Sequence, residues 1–249
     1  MRLVSGLLAL ACMILPAQAE WPLEAMNRQI EQTNVILNEI CSGTVIDVEE
    51  RLILTAYHCI TENLREIEKK DIDPKTGEIK ITKVQERAPM FIEFWRRQEY
   101  DIVSSEKHIA EIKGYDSLSD TALLQVVDKG WKPAAAAPLA SDKFAYLRGK
   151  TVFAVGNPAI IFDNSVTTGI ISAPERKLDF GNGIKLPLFQ HSASVTGGSS
   201  GGAVYNGDGE IIGTLTGGLR GADIALAVPI SYAKAMIRKA GFGKILEKK

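Results

Sequence analysis

The sequence predicts an all-β protein in two halves of similar size, followed by a C-terminal helix. From residue 41 onward, short apolar runs alternate with Gly, Asp and charged turns, as in TALLQVV and KTVFAVGNP. Evenly spaced runs of this kind are typical of antiparallel strands in a sandwich or a barrel. Two prolines and an alanine run interrupt the strand pattern at 131–149, which indicates a connector between the halves.

The remaining elements follow from local signals. Helical spacing at 22–33 predicts a short helix followed by a strand, and DPKTGE at 73–78 is typical of a hairpin turn. Ser231 is the expected N-cap of the last helix, and Gly241 is its stop signal. We therefore expect, in chain order, a signal peptide at 1–19, an N-terminal segment at 20–40, an N-terminal β half at 41–130, the connector at 131–149, a C-terminal β half at 150–230, and a helix with a tail at 231–249.

The first twenty residues predict export. Arg2 gives a positive start, an apolar run follows at 3–15, and Ala17-Gln18-Ala19 forms a small-residue cleavage site before Glu20. The apolar run is too short for a comfortable transmembrane span. We therefore expect a periplasmic or secreted protein with no membrane association beyond export. Lipid anchoring through Cys12 is the alternative.

Charge and cysteine content narrow the possible partners. Loss of Arg2 with the signal peptide leaves 28 basic side chains against 30 acidic ones, a balance that argues against a nucleic acid or an anionic membrane as partner. The two remaining cysteines, Cys41 and Cys59, are expected to form a disulfide in an oxidising compartment. They lack the additional Cys and His residues that a structural zinc site needs, so we expect neither metal nor cofactor.

The stretch TGGSSGG places Ser199 and Ser200 between two pairs of glycines. It is either an exposed turn or a loop that presents a nucleophilic hydroxyl beside bare backbone N–H groups. A serine nucleophile needs a base. His58, at the end of an apolar run and directly before Cys59, is the best candidate, because a disulfide there would hold the imidazole in place.

A general base of this kind is oriented best by a buried carboxylate. Asp120 leads directly into the apolar run TALLQV, so its side chain can be buried at the start of a strand. Asp116 lies in the preceding turn and is the alternative. The candidate residues therefore occur in the order His58, Asp120, Ser200.

Together these motifs resemble the trypsin-like serine peptidases of the chymotrypsin fold. The similar stretches are TAYHC at 55–59, SDTALL at 119–124 and GSSGG at 198–202, with CSG at 41–43 resembling the cysteine strand that pairs with the His-Cys motif. GNPAIIFDNSVTTGIISAPER and ALAVPISYAKAMI are similar to strands of bacterial Deg (HtrA)-type proteases. The resemblance covers about residues 35–240 and implies two six-stranded antiparallel β-barrels with a C-terminal helix.

The resemblance also implies the role of each residue. Ser200 would be the nucleophile, His58 the base and Asp120 the orienting acid of a serine endopeptidase that acts on polypeptides. The backbone N–H groups of Gly198 and Ser200 would form the oxyanion hole. Ser199 could replace Ser200 only if the register slipped by one residue.

The sequence departs from the family pattern in three places. Ser199 occupies the position of the aspartate that binds the new N-terminus of activated zymogens, so we expect activity without removal of a pro-segment. We expect no PDZ domain, because the chain ends shortly after the last helix. The charged stretch at 61–107 is either a solvated hairpin insertion or a lid or exosite beside the cleft.

The family alignment implies a specificity pocket formed by Ser194, Thr216 and Gly217. Ser194 carries no charge, which argues against a preference for Lys or Arg before the scissile bond. With Ala225 or Ala227 nearby, we expect small or apolar residues at that substrate position.

Two histidines remain. TGGSSGG is also similar to glutamate-specific relatives, but Leu215 stands where their pocket histidine is expected. His191 could substitute for that histidine, although a strand histidine near the cleft is the simpler interpretation. His108 is expected to be exposed on a strand.

Two other functions remain open on the same fold. One is a catalytically silent module that binds an extended peptide by strand addition. The other is an esterase that uses the same nucleophile. Turnover of a peptide amide compared with a matched ester separates the esterase from the peptidase.

Overall fold

A computed structural model describes residues 21–98, 101–179, 183, 185–219 and 222–247. The predicted signal peptide, with Cys12, lies outside these residues. The described strands are β1 Asn34–Leu37, β2 Cys41–Asp47, β3 Leu52–Thr55, β4 Leu64–Ile72, β5 Ile79–Arg87, β6 Met90–Gln98, β7 Asp101–Asp116, β8 Thr121–Val126, β9 Thr151–Gly156, β10 Ser165–Asp179, β11 Lys185–His191, β12 Ala203–Tyr205, β13 Ile211–Leu219 and β14 Ile224–Pro229. They form two closed six-stranded antiparallel barrels and one separate hairpin, which confirms the predicted fold.

The N-terminal barrel has the strand order β1-β2-β3-β8-β7-β6. It begins earlier than the predicted boundary at residue 41, because β1 pairs with β2 through Leu37↔Cys41 and with β6 through Leu37↔Ile92. Asn38 and Glu39 make the tight turn between β1 and β2 with positive φ angles of 45° and 59°. The strand predicted after the first helix is therefore part of the barrel wall.

The C-terminal barrel has the order β10-β11-β14-β13-β12-β9. Its interior contains buried aromatic side chains such as Phe189 and Tyr205. The connector at 131–149 contributes one isolated bridge to this barrel, between Leu139 and Ile211. Side chains from both barrels, among them Leu54 and Leu215, belong to one buried cluster. The two barrels therefore share an apolar interface.

Each terminal helix contacts both barrels. Helix α1 (Leu23–Thr33) precedes the N-terminal barrel, and its Met26 and Ile30 lie in the buried cluster that the two barrels share. Its Gln29 side chain donates a hydrogen bond of 2.9 Å to the Gly209 carbonyl, between β12 and β13. The first helix thus packs beside the turn between β12 and β13 of the second barrel.

Helix α2 (Ile230–Lys239) also contacts both barrels. Its Ile230 and Ile237 lie in the shared cluster, and Met236 and Ala240 lie against Gly114 on β7 of the N-terminal barrel. The predicted cap at Ser231 is wrong, because the helix begins at Ile230, directly after Pro229, and has no side-chain cap. Within the described ranges, no helix is both long and apolar enough to span a membrane.

Strands β4 and β5 form a two-stranded sheet outside both barrels, which we call the β4–β5 arm (residues 64–87). Asp73 and Gly77 close the connecting turn through a Gly77 N–H to Asp73 carbonyl bond of 2.9 Å. Nearly every residue of the arm is exposed. The turn predicted at 73–78 is confirmed, and part of the charged stretch at 61–107 is a solvated hairpin.

Candidate active site

His58 lies in a short 3-10 turn (Tyr57–Asn63), one residue beyond the end of β3, rather than on the strand itself. Cys59 in this turn forms a disulfide with Cys41 on β2, with 6.0 Å between the Cα atoms. One ring nitrogen of His58 lies within 4.8 Å of both sulfur atoms. The side chain of His58 is 42% exposed, so the disulfide holds an imidazole that solvent and ligands can reach.

The buried carboxylate of Asp120 holds both the backbone and the ring of His58. Oδ1 accepts the His58 backbone N–H at 2.9 Å, and Oδ2 lies 2.9 Å from His58 Nδ1. An ionised carboxylate only accepts hydrogen bonds, so Nδ1 carries the proton and Nε2 is left with a free lone pair. Asp120 has a φ angle of 49°, a conformation that Asp adopts more readily than most residues.

Thr216 provides a third hydrogen bond to this carboxylate. Its hydroxyl donates to Asp120 Oδ2, the same oxygen that contacts His58 Nδ1. A register shift between Leu215 and Gly217 leaves Thr216 outside the regular β13–β14 ladder. Bulges of this type redirect side chains beside active sites. The sequence placed Thr216 in the specificity pocket, and gave no sign of the bulge that turns its hydroxyl towards Asp120.

Asp116, the alternative acid, does not approach His58. Its carboxylate accepts the backbone N–H of Leu118 at 3.0 Å and the hydroxyl of Ser119 at 2.9 Å. These bonds stabilise the turn between β7 and β8. The structure therefore brings Asp120, rather than Asp116, to the histidine.

In the loop at 196–200, every backbone carbonyl accepts a hydrogen bond, and none of the donors is the N–H of Gly198 or Ser200. The donors to these carbonyls are, in chain order, the N–H of Ser199 (3.1 Å), the N–H of Ala159 (2.7 Å), the hydroxyl of Ser42 (2.7 Å), the N–H of Gly202 (3.0 Å) and the N–H of Ser42 (2.7 Å). Across the described part of the chain, the N–H groups of Gly198 and Ser200 have no acceptor. The loop thus presents two free backbone donors.

Two glycines are required by the path of this loop. Gly198 has a φ angle of 95°, and a Cβ there would lie 2.4 Å from the Asn157 carbonyl oxygen. Gly201 has a φ angle of 81°, and its Cβ would lie 2.1 Å from Thr55 Oγ1. Both the backbone angles and the close approaches exclude a side chain. Gly198 therefore packs against the 157–160 turn, and Gly201 against the N-terminal barrel.

Ser42 connects the loop to the N-terminal barrel. Its hydroxyl donates to the Gly198 carbonyl and accepts two hydrogen bonds from Asn157, from the backbone N–H at 2.9 Å and from Nδ2 at 3.0 Å. Its own backbone carbonyl accepts the Thr55 hydroxyl at 2.8 Å. Sequence reasoning missed this role, because CSG was noted only for its cysteine and Asn157 is distant along the chain.

Ser200 lies beside the 3-10 turn that carries His58. Its carbonyl oxygen is 3.6 Å from Cys59 Sγ, in the same disulfide that contacts His58. Ser200 is half-buried, whereas the neighbouring Ser199 is buried against Gly156. Of the two adjacent hydroxyl residues, Ser200 is the one that solvent reaches.

The contacts among His58, Asp120 and the loop at 196–200 agree with the protein family that the sequence matches. Residues 41–213 match the family model of the trypsin-like peptidase domain. The chain belongs to this family. The structure of this trypsin-like domain is similar to the crystal structure of the serine endoprotease from Yersinia pestis, with a TM-score of 0.59 and 23% identity, covering 86% of this chain and 65% of that chain. At this identity the similarity shows the fold alone.

Curated relatives carry a more specific name. The trypsin-like domain is 35% identical over 130 residues to a "Probable periplasmic serine endoprotease DegP-like" from Pseudomonas putida (strain W619), covering 50% of this chain and 25% of the relative. A protein of the same name from Halomonas elongata is 36% identical over 130 residues, covering 50% of this chain and 26% of the relative. The chain thus spans about a quarter of the length of the curated relatives it matches.

The residues assigned to a specificity pocket lie just before the loop at 196–200 and on β13. Ser194 is exposed, and its carbonyl accepts the Thr167 hydroxyl at 2.7 Å. Gly217 pairs with Leu226 beyond the bulge at Thr216. The role of these residues in substrate selection stays a prediction.

The two other histidines of the trypsin-like domain are enclosed. His191 on β11 is fully buried, and burial lowers its pKa to about 4. Neither of its ring nitrogens has a partner among the residues described. The expectation that His108 is exposed is wrong, because Trp131 and Phe94 pack around its ring at centroid distances of 4.6 and 6.2 Å.

Cys41, His58 and Cys59 are close enough together to bind a metal ion in principle. Metal binding by cysteine requires a thiolate. Both sulfurs are joined in the disulfide, so this donor set does not fit a metal.

Proposed function

We propose that this protein is an exported serine endopeptidase in which Ser200, His58 and Asp120 form the catalytic triad. The observation that carries the proposal is the contact of 2.9 Å between His58 Nδ1 and Asp120 Oδ2, beside a loop with two free backbone donors. The family and the names of the relatives support the same reaction class.

In the proposed reaction, His58 Nε2 takes the proton of Ser200 Oγ as that oxygen attacks the scissile carbonyl carbon. The N–H groups of Gly198 and Ser200 bind the resulting oxyanion, each donor contributing on the order of 10²–10³ in rate. His58 then gives the proton to the leaving amine as the C–N bond breaks. A water molecule, deprotonated by His58, hydrolyses the Ser200 ester and restores the enzyme.

The proposed substrates are polypeptides with a small or apolar residue before the scissile bond. Ser194, Thr216 and Gly217 would line the subsite for that residue, and none of them carries a charge. Ser199 likewise has no charge with which to bind a new N-terminus. The proposed enzyme therefore needs no removal of a pro-segment, and chains that start at Glu20 or with an N-terminal extension should be equally active.

We also propose that residues 1–19 direct export to the periplasm. The charge and cleavage pattern of this segment and the word "periplasmic" in the names of the relatives support this location. Mass spectrometry of the protein recovered from a periplasmic fraction tests it. The expected N-terminus is Glu20, and an unprocessed cytoplasmic chain would contradict the proposal.

The activity is tested by labelling the protein with a fluorophosphonate, which reacts only with an activated serine. Labelling of the wild type that is lost in Ser200→Ala but kept in Ser199→Ala is the expected result. Turnover of a peptide amide, in addition to a matched ester, then identifies a peptidase rather than an esterase. A wild type that binds an extended peptide but is never labelled would overturn the proposal in favour of a silent binding module.

A further inference from the structure

The β4–β5 arm leaves backbone hydrogen-bonding groups without strand partners. Within the described residues, neither β4 nor β5 pairs with a third strand, although each has nine residues and so extends about 30 Å. A two-stranded hairpin alone is only marginally stable in water. A long free edge is also a template for pairing with another chain. The arm therefore has the form of a surface that adds a strand.

The sequence of β4, LREIEKKDI, is complementary to itself in the antiparallel direction. When two copies pair about a two-fold axis at Glu68, Arg65 lies opposite Asp71 of the other copy. In the same register Glu66 lies opposite Lys70, and symmetry repeats both ion pairs. Opposite charges placed directly across two strands stabilise their pairing, whereas like charges destabilise it. Only Glu68, on the axis, meets a like charge.

Neighbouring registers are less complementary. With the axis at Ile67, Arg65 lies opposite Lys69 and Glu66 opposite Glu68, so like charges meet twice on each side of the axis. With the axis at Lys69, only the Glu68–Lys70 pair is attractive, and Lys69 lies opposite itself. A shift by one residue in either direction creates as many repulsive pairs as attractive ones. The register with its axis at Glu68 therefore has the largest number of opposite-charge pairs.

The apolar residues at the tip of the arm agree with the same pairing. Ile72 and Ile79 are register partners, and they are 65% and 62% exposed. Two-fold pairing at Glu68 places Ile72 of one copy beside Leu64 of the other, at the base of the arm. The exposed side chain of Ile72 would therefore contact the apolar side chain of Leu64 from the other copy.

The opposite edge, on β5, is less suited to self-pairing. A two-fold axis at Lys83 would create only one type of ion pair, between Lys80 and Glu86. At its base, β5 is already engaged with the barrel, because the Arg87 guanidinium donates to the Ile112 carbonyl at 2.9 Å.

We propose that the β4–β5 arm is a dimerisation surface, at which β4 pairs antiparallel with β4 of a second copy of this chain about a two-fold axis at Glu68. The result is a four-stranded sheet between two trypsin-like domains, held by main-chain hydrogen bonds and four cross-strand ion pairs. This closed interface uses the same surface on both copies.

Sedimentation equilibrium of the full protein tests the assembly. The wild type should be a dimer, and Lys70→Glu should weaken it at least tenfold, because two attractive pairs become repulsive; each exposed pair contributes up to about 1 kcal/mol. The double variant Glu66→Lys/Lys70→Glu restores opposite charges between the copies but loses the ion pair of 2.7 Å between Glu66 and Lys83 within each arm, so it should recover part of the lost affinity. A monomeric wild type, an open-ended polymer, or a double variant as weak as Lys70→Glu would overturn the proposal.

Cysteine cross-linking locates the axis. In a Cys12→Ser background, Glu68→Cys should form an intermolecular disulfide upon mild oxidation, because a two-fold axis brings the two copies of residue 68 together. Lys83→Cys is the matched control, since Lys83 is the register partner of Glu68 on the other strand. Efficient cross-linking through Lys83→Cys, or none through Glu68→Cys, would show that the copies do not pair through β4.

Discussion

The hydroxyl of Ser42 donates a hydrogen bond of 2.7 Å to the carbonyl oxygen of Gly198, while the backbone N–H of Ser42 donates one of the same length to the carbonyl of Ser200. Ser42 belongs to the N-terminal barrel, and the loop it contacts belongs to the C-terminal barrel. One residue of the first barrel therefore orients both residues whose N–H groups form the proposed oxyanion hole.

We predict that Ser42→Ala lowers kcat for a peptide substrate about 10- to 100-fold and changes KM little. The loop loses the bond that holds the carbonyl of the Gly198–Ser199 peptide, which adjoins the Gly198 N–H, and an oxyanion donor is worth on the order of 10²–10³ when fully lost. Steady-state kinetics measure the effect. Thr44→Val, on the same strand, is the matched control and should leave kcat unchanged. A rise in KM alone in Ser42→Ala would contradict a positioning role.

The carboxylate of Asp120 yields a second prediction. Asp120→Asn should lower kcat by roughly 10⁴, because an amide can favour the wrong tautomer of the His58 ring. Thr216→Val should cause a smaller loss of about tenfold, since it removes one of several bonds to the carboxylate, and Thr216→Ser should restore most activity. Asp116→Asn is the control. Equal losses in the Asp116 and Asp120 variants would show that both act only on folding.

Stability should depend on pH through His191. Burial lowers the pKa of its imidazole to about 4, whereas the unfolded residue titrates near 6.5. Between these values the unfolded chain binds a proton that the folded chain does not, so the free energy of unfolding falls as pH decreases from 6.5 to 4, by up to about 3 kcal/mol. Above pH 6.5 the contribution is constant. Urea unfolding of the wild type and His191→Leu at several pH values measures this contribution. If the free energy of unfolding falls equally with pH in the two proteins, the pH dependence does not come from His191.

Substrate preference should respond to charge at residue 194. If Ser194 lies at the base of the subsite, Ser194→Asp should shift cleavage towards Lys or Arg before the scissile bond, by attraction to the new carboxylate. Cleavage of a peptide library by the wild type and the variant measures the shift. Ser194→Asn has similar size without the charge and should keep the original preference. An unchanged cleavage pattern in Ser194→Asp would place the subsite elsewhere.

The site residues that could be predicted from the sequence are marked by their immediate neighbours along the chain. His58 stands beside a cysteine, Asp120 directly precedes an apolar strand, and Ser200 lies between glycines. Each signal lies within a few residues of the side chain concerned. The structure brings two of these predicted residues into contact, with 2.9 Å between His58 Nδ1 and Asp120 Oδ2.

The parts that the sequence missed depend on contacts between distant segments. Ser42 and Gly198 are 156 residues apart, and their hydrogen bond exists only when the two barrels meet. The hydroxyl of Thr216 reaches Asp120 because of a register shift that composition does not reveal. His108 was expected on the surface, but Trp131 from the connector covers it.

The cluster that both barrels and both terminal helices share has a consequence for how the molecule denatures. Met26 of helix α1 and Met236 of helix α2 lie in this cluster with Leu54 of the first barrel and Leu215 of the second. Unfolding of either barrel would expose apolar side chains of the other, so we expect the two barrels to unfold together. Calorimetry should therefore record one cooperative transition, with the calorimetric enthalpy equal to the van't Hoff enthalpy.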